Sequence, residues 1–302
     1  VYGGTVEQVT VDGEVYQLPF RSDFWIVYYN KDVFDAAGVE YPTNDMTLEQ
    51  YDEVARAVVQ GEGNDKVYGA HYHTWRSAVQ LFGILDGQNT IVDGTYEFLK
   101  PYYELILKEQ DDGIVTDYAT AVSTSSHYRD LFYNGKIAMM NMGSWQIASQ
   151  IQAVKAGETD VVNWGIVKYP HPDGVEAGTT LGTITGLAVS KNAPNKEEAL
   201  KFLKWVTGAE GAAVVASTGT IPAIHDESIM SEITSIDGFP TDDNSKEALQ
   251  TTQIYLEMPL HAKSAEIEQV LNEEHTEIMT GNKTVDDGLA AMDARVAEVL
   301  NS

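Results

Sequence analysis

Apolar, β-rich runs alternate along this chain with stretches whose apolar positions recur at helical spacing. That alternation bounds the possible folds. Phe24 to Tyr29, Val67 to Tyr72, Ile137 to Met142, Trp164 to Tyr169 and the Gly-containing Gly182 to Ser190 read as strands. Thr47-Leu48-Glu49-Gln50 reads as a capping box, opening a helix with Tyr51, Val54, Ala55, Val58 and Val59 on one face. Further helices are expected over Ser77 to Leu85 and over Tyr96 to Gln110, with Pro101 near the start of the second or kinking it. Another should end at Asn134-Gly135, and one should be capped by Ser144 with Trp145 first. Asn195 should open a helix stopped by Gly208. Ala265 to Met279 reads as helical, and Thr284 with Asp287 caps a last helix. Residues 225 to 247 are polar and read as loops and short turns. The pattern predicts α/β layers around a mostly parallel sheet. A length of 302 residues points to two domains.

The front of the chain is unusual. Val9 to Val11 and Glu14 to Leu18 flank Asp12-Gly13, a hairpin signal. A lone hairpin is not stable in water, so this one is expected to complete a sheet supplied from elsewhere. The sequence opens at Val1 with no export segment, and the expectation is a chain that begins part-way through a larger one.

The formal net charge is −27, from 19 basic and 46 acidic residues. That balance argues against nucleic-acid or anionic-membrane partners, because phosphates require Lys and Arg to neutralise them. Absence of cysteine excludes disulfides, thiol catalysis and Cys-ligated metals. No apolar run approaches the ~18 residues a membrane helix needs.

His71 and His73 share a strand face at the spacing of a metal pair, but no neighbouring ligand completes a site, and polar residues at a strand end are the plainer reading. Gly178, Gly182 and Gly186 form no nucleotide-binding motif, no nucleophile motif is present, and no cofactor is expected. Two tryptophans stand out. Trp145 in Met142-Gly143-Ser144-Trp145 and Trp75 after His73-Thr74 both sit where a strand ends, the place where ligands bind in open α/β sheets. An indole there is either a flat platform for the C–H face of a sugar or a core residue beneath a helix. Arg21 and Asp23 could hydrogen-bond hydroxyls or form an inconsequential ion pair.

Four segments in order resemble the maltose-type extracellular solute-binding proteins of carbohydrate ABC importers. They are Leu18 to Asp23 running into Val27 to Phe34, Phe132 to Met139 running into Gly143-Ser144-Trp145, Gly186 to Asn192 before the Asn195 helix, and Thr280 to Asp287. The resemblance implies a two-lobed periplasmic-binding-protein (type II) fold with a hinge, its first lobe lacking an opening part ahead of Val1. Lobe one would hold residues 1–20 and 171–248, and lobe two residues 21–170 and 249–302. The ligand, a carbohydrate, would bind between the lobes and close them. The resemblance implies no catalytic residue and no metal. It places Asp23 as a sugar-hydroxyl ligand, Trp145 as a stacking aromatic, and Gly182-Thr183 where backbone approaches ligand. Glu268 falls where maltose-binding proteins carry another stacking tryptophan, which implies a different sugar. His73, Trp75 and His261 join this set by neighbourhood, and Arg21 by its place beside Asp23 next to the crossover strand. The implied protein is a monomeric receptor, periplasmic or lipid-anchored at the cell surface, that hands its sugar to a membrane permease. Two rivals are a secreted carbohydrate-active enzyme with a carboxylate pair and a receptor of the same fold for a non-sugar anion. The five arginines are scattered, which weakens the anion reading.

Overall fold

The computed structural model describes residues 6–11, 13–224 and 227–302. Its strands are β1 (Thr10–Val11), β2 (Glu14–Val15), β3 (Leu18–Asn30), β4 (Tyr68–His71), β5 (Ile137–Gly143), β6 (Trp164–Lys168), β7 (Thr179–Leu187) and β8 (Gln253–Leu256), interleaved with helices. The chain divides into two compact units. One comprises Val1–Phe24, Gly143–Gly157 and Gly182–Thr241, and the other Trp25–Met142, Glu158–Leu181 and Asp242–Ser302. These bounds differ from those of the expected lobes: residues 21–24, with Arg21 and Asp23, and Gly143–Gly157 group with the first unit, while residues 171–181 and 242–248 group with the second.

The mixed α/β class holds, but the expectation of a mostly parallel sheet does not. β4 runs parallel to β5, whereas β3 runs antiparallel to both β6 and β7. Hydrophobic periodicity specifies the type of an element and carries no information about the direction of its partner. The hairpin of β1 and β2 forms as read, with Thr10 opposite Val15. Among the described residues it is a separate two-stranded sheet rather than part of a larger one. Asp12 of its turn lies outside the described residues.

In the first unit, β3 from Leu18 to Phe24 pairs with β7 from Gly182 to Leu187. Helices Gln146–Ala156, Lys196–Val206, Ala209–Ala216 and Glu227–Thr234 complete it. The last of these, together with Asp243–Glu247 in the second unit, replaces the loops expected over 225–247. Ile233 supplies the apolar anchor that a polar-looking segment needs to fold as a helix.

In the second unit, every residue of β3 from Trp25 to Asn30 is buried. Tyr28 stacks on Trp164 of β6 at 6.2 Å. The capping box at Thr47 forms both of its bonds, fixing the start of the helix Leu48–Ala57. That helix lies directly on β4. A Cβ built on Gly69 would sit 1.8 Å from the carbonyl oxygen of Ala55, so only glycine permits the approach. The Gly69→Ala variant is expected to lose about 1–3 kcal/mol of stability through this overpacking, measured as a lower denaturation midpoint. An unchanged midpoint would contradict the packing described.

Glu109, on the helix Lys100–Asp111, is fully buried. Burial first, and then the neighbouring Asp52 carboxyl, push it from 4.5 up to about 8. The folded chain therefore keeps a proton that the unfolded chain releases near pH 4.5. This contribution to stability is complete below that pH and is lost as pH rises through about 8. Burial has the opposite sign for histidines, holding His71 and His275 down to about 3 and His73 to about 4. Their contribution is complete above about 6.5 and is lost as the solution is acidified towards those values. Thermal melts of Glu109→Gln from pH 4 to 9 should show the alkaline loss flattened and the acid loss retained. A wild-type alkaline slope in that variant would assign the loss elsewhere.

Candidate functional site

In the first unit the residues gather along the first half of β3. The ladder sets Asp23 opposite Thr183 and Phe24 opposite Gly182, with Arg21 opposite Thr185. Asp23 is 1 % exposed. It accepts a hydrogen bond from the Ser144 hydroxyl at 2.9 Å, and the Arg21 Nε lies 3.2 Å from its other oxygen. Arg21 Nε also donates to the Thr185 hydroxyl at 3.2 Å. Burial raises the Asp23 carboxyl above its ordinary range, partly offset by Arg21 and the Ser144 bond. The acid is thus held in place by two partners rather than lying solvated at the surface.

Ser144 does not cap the helix as expected. The helix begins at Gln146 with Trp145 at the cap position and no side-chain cap bond. The Ser144 hydroxyl is committed to β3, donating to Asp23 while accepting from the Phe24 N–H at 3.3 Å. The Ser144 N–H in turn donates to the Phe24 carbonyl at 2.8 Å. Trp145 is half-buried, so neither sealed core nor free surface describes it. Its indole lies against Gly143, where an added Cβ would come within 2.1 Å of the ring. Gly143→Ala should displace this indole. The expected result is a changed tryptophan emission maximum and near-UV circular dichroism with the far-UV spectrum retained; unchanged aromatic signals would refute the contact.

In the second unit an aromatic cluster surrounds Trp75, which is 41 % exposed. Trp25 meets it edge-on at 6.5 Å, His73 at 4.5 Å and Tyr128 at 5.9 Å. These edge contacts fix the indole. Trp25 is buried, and its Nε1 donates to Glu257 Oε2 at 3.3 Å. Burial raises the Glu257 carboxyl, while Arg76, Trp25 and Ser77 draw it back down.

Arg76, next in sequence to Trp75, is 3 % exposed. Its Nη2 is 3.1 Å from Glu268 Oε1, and Nη1 donates to Gln80 Oε1 at 3.2 Å. Gln80 donates onward to the Tyr103 hydroxyl at 2.9 Å, and that hydroxyl lies 3.0 Å from His275 Nδ1. Chains of this kind fix each member's orientation.

Sequence-predicted residues thus fall into two groups: Arg21, Asp23, Gly182 and Thr183 beside Trp145 in one unit, and His73, Trp75 and Glu268 in the other. His261 joins neither. It is exposed, and its ring accepts the Lys263 N–H, closing the turn before the helix Ser264–Met279. His71 is buried with its ring 6.1 Å from that of His73. Among the described residues no group of three or more His, Cys, Asp or Glu is placed to hold a metal ion. A groove of about 480 Å³ in the second unit, lined by Asp86, Gln88, Asp173, Glu176 and Tyr255, contains none of the predicted residues.

Sequence reasoning missed Trp25 and Glu257 altogether. Trp25 sits inside an uninterrupted β run, and Glu257 was one acid among 46. Their pairing spans 232 positions.

Comparison with known proteins gives these residues a context. The family described as bacterial extracellular solute-binding protein matches residues 1–213. A solved structure of a sugar transporter from Rhizobium etli, in an open conformation, is 56 % identical to this chain. It superposes with a TM-score of 0.90, over 98 % of this chain and 75 % of that one. A putative binding protein from Brucella abortus is 25 % identical over 73 % of this chain and 53 % of its own length. An sn-glycerol-3-phosphate-binding periplasmic protein from Pectobacterium atrosepticum is also 25 % identical, over 92 % of this chain and 64 % of its own length. The chain therefore spans about half to two thirds of these two relatives.

Proposed function

The chain belongs to the bacterial extracellular solute-binding protein family, and from that premise we propose that it binds a carbohydrate and delivers it unchanged to the permease of an ABC importer. The observation that carries this reading is Trp75, an exposed indole braced edge-on by Trp25, His73 and Tyr128 and bordered by the Arg76–Glu268 ion pair. A fixed apolar ring next to charged hydrogen-bonding groups matches the two kinds of surface a sugar presents, its C–H face and its hydroxyls. Asp23, Arg21 and Ser144 supply a second hydroxyl-seeking set in the other unit. The sugar-transporter description of the 56 % identical Rhizobium etli protein supports the same assignment. The working protein is a monomeric receptor outside the cytoplasm, periplasmic or held at the cell surface. No helix among the described residues is long and apolar enough to cross a membrane.

Titration with mono-, di- and trisaccharides and sugar alcohols, followed by calorimetry and tryptophan fluorescence, tests this reading. At least one should bind and be recovered intact, and no chromogenic glycoside should be turned over. Trp75→Ala and Trp145→Ala are each expected to weaken the saccharide that binds by about 1–3 kcal/mol while leaving the fold intact. Failure of every sugar to bind, or hydrolysis of one, would overturn it.

A further inference from the structure

Family membership leaves the ligand's charge open, because the relatives include both a sugar transporter and a glycerol-phosphate-binding protein. The charge balance around Trp75 addresses it. An arginine stays charged under all ordinary conditions, and a phosphate is held best by one whose donors are uncommitted. Arg76 is only partly in that state: its buried Nε has no hydrogen-bond partner among the described residues, but its two terminal nitrogens are engaged. Glu268 occupies its Nη2 at 3.1 Å and Gln80 its Nη1 at 3.2 Å. Glu257, tied to Trp25, adds a second carboxylate to the electrostatics of the same guanidinium. The guanidinium of Arg76 thus has one acid in direct contact and a second acting on it electrostatically. The Glu268 side chain is 50 % exposed, so it covers the guanidinium from the solvent side without being locked into the core.

We propose that Glu268 determines ligand charge class in this chain: by occupying Arg76 it makes the Trp75 platform accept uncharged saccharides or polyols and refuse phosphorylated ones. This rests on the carbohydrate-binding reading above and gives Glu268 a different role from direct contact with a sugar ring. It acts through Arg76, as a positioning and neutralising residue. Its carboxylate is the removable part of the arrangement, because Gln80 still accepts from the guanidinium once it is gone.

The test is calorimetric titration of sn-glycerol 3-phosphate, and of a neutral saccharide found to bind, into wild-type protein and three variants. Wild type should bind the saccharide and give no heat with sn-glycerol 3-phosphate at millimolar concentration. Glu268→Gln should gain at least tenfold in sn-glycerol 3-phosphate affinity, a gain that falls with added salt. Glu268→Asp should retain the refusal, and Arg76→Gln/Glu268→Gln should abolish the gain. The proposal is overturned if wild type binds sn-glycerol 3-phosphate as tightly as the saccharide. It is equally overturned if a folded Glu268→Gln shows no gain, or if the gain survives loss of Arg76. If no saccharide binds any variant the carbohydrate reading fails, and the comparison of sn-glycerol 3-phosphate between wild type and Glu268→Gln still decides the role of Glu268.

Discussion

A buried guanidinium next in sequence to an exposed indole sets the terms for the second unit. Arg76 cannot shed its charge, so the residues around it are selected by the need to compensate a cation out of water. Glu268 meets it from the solvent side and Gln80 from within. Gln80 then commits Tyr103, whose hydroxyl engages His275. Removing Gln80 or Tyr103 would strand a polar group in the buried interior. The consequence for function is rigidity: Arg76, at the cap position of the helix Ser77–Gln80, is anchored by its partners, and the adjacent Trp75 indole is held by its edge contacts.

The first unit solves a similar problem with the opposite charge. Asp23 is buried, and its carboxylate is balanced by Arg21 and by a hydroxyl from Ser144 that would otherwise have capped a helix. The missing cap and the half-buried position of Trp145 have one cause. Because Ser144 turns towards β3, Trp145 takes the cap position with its ring against Gly143. Both units thus present a partly exposed tryptophan near a buried, paired charge.

Much of the fold was legible in the sequence because it depends on neighbours. The Thr47 capping box, the Thr284 cap and the helix Ser264–Met279 follow from residues three or four apart. The helix Glu227–Thr234 was not legible, because a polar composition hid the single buried Ile233 that docks it. Trp75 and Trp145 were visible as aromatics at strand ends. Their partners were not: Arg76 finds Glu268 192 positions away, and Ser144 finds Asp23 121 positions away.

By itself, then, the sequence determined the kinds of element, the acidic surface and the absence of thiol chemistry, since each is a property of composition or of short-range spacing. Which acids are paired and which merely solvated, which strands run antiparallel, and whether an indole lies open or sealed were decided only by the tertiary structure. Those outcomes depend on burial and on contacts between distant segments, and only a folded chain has either.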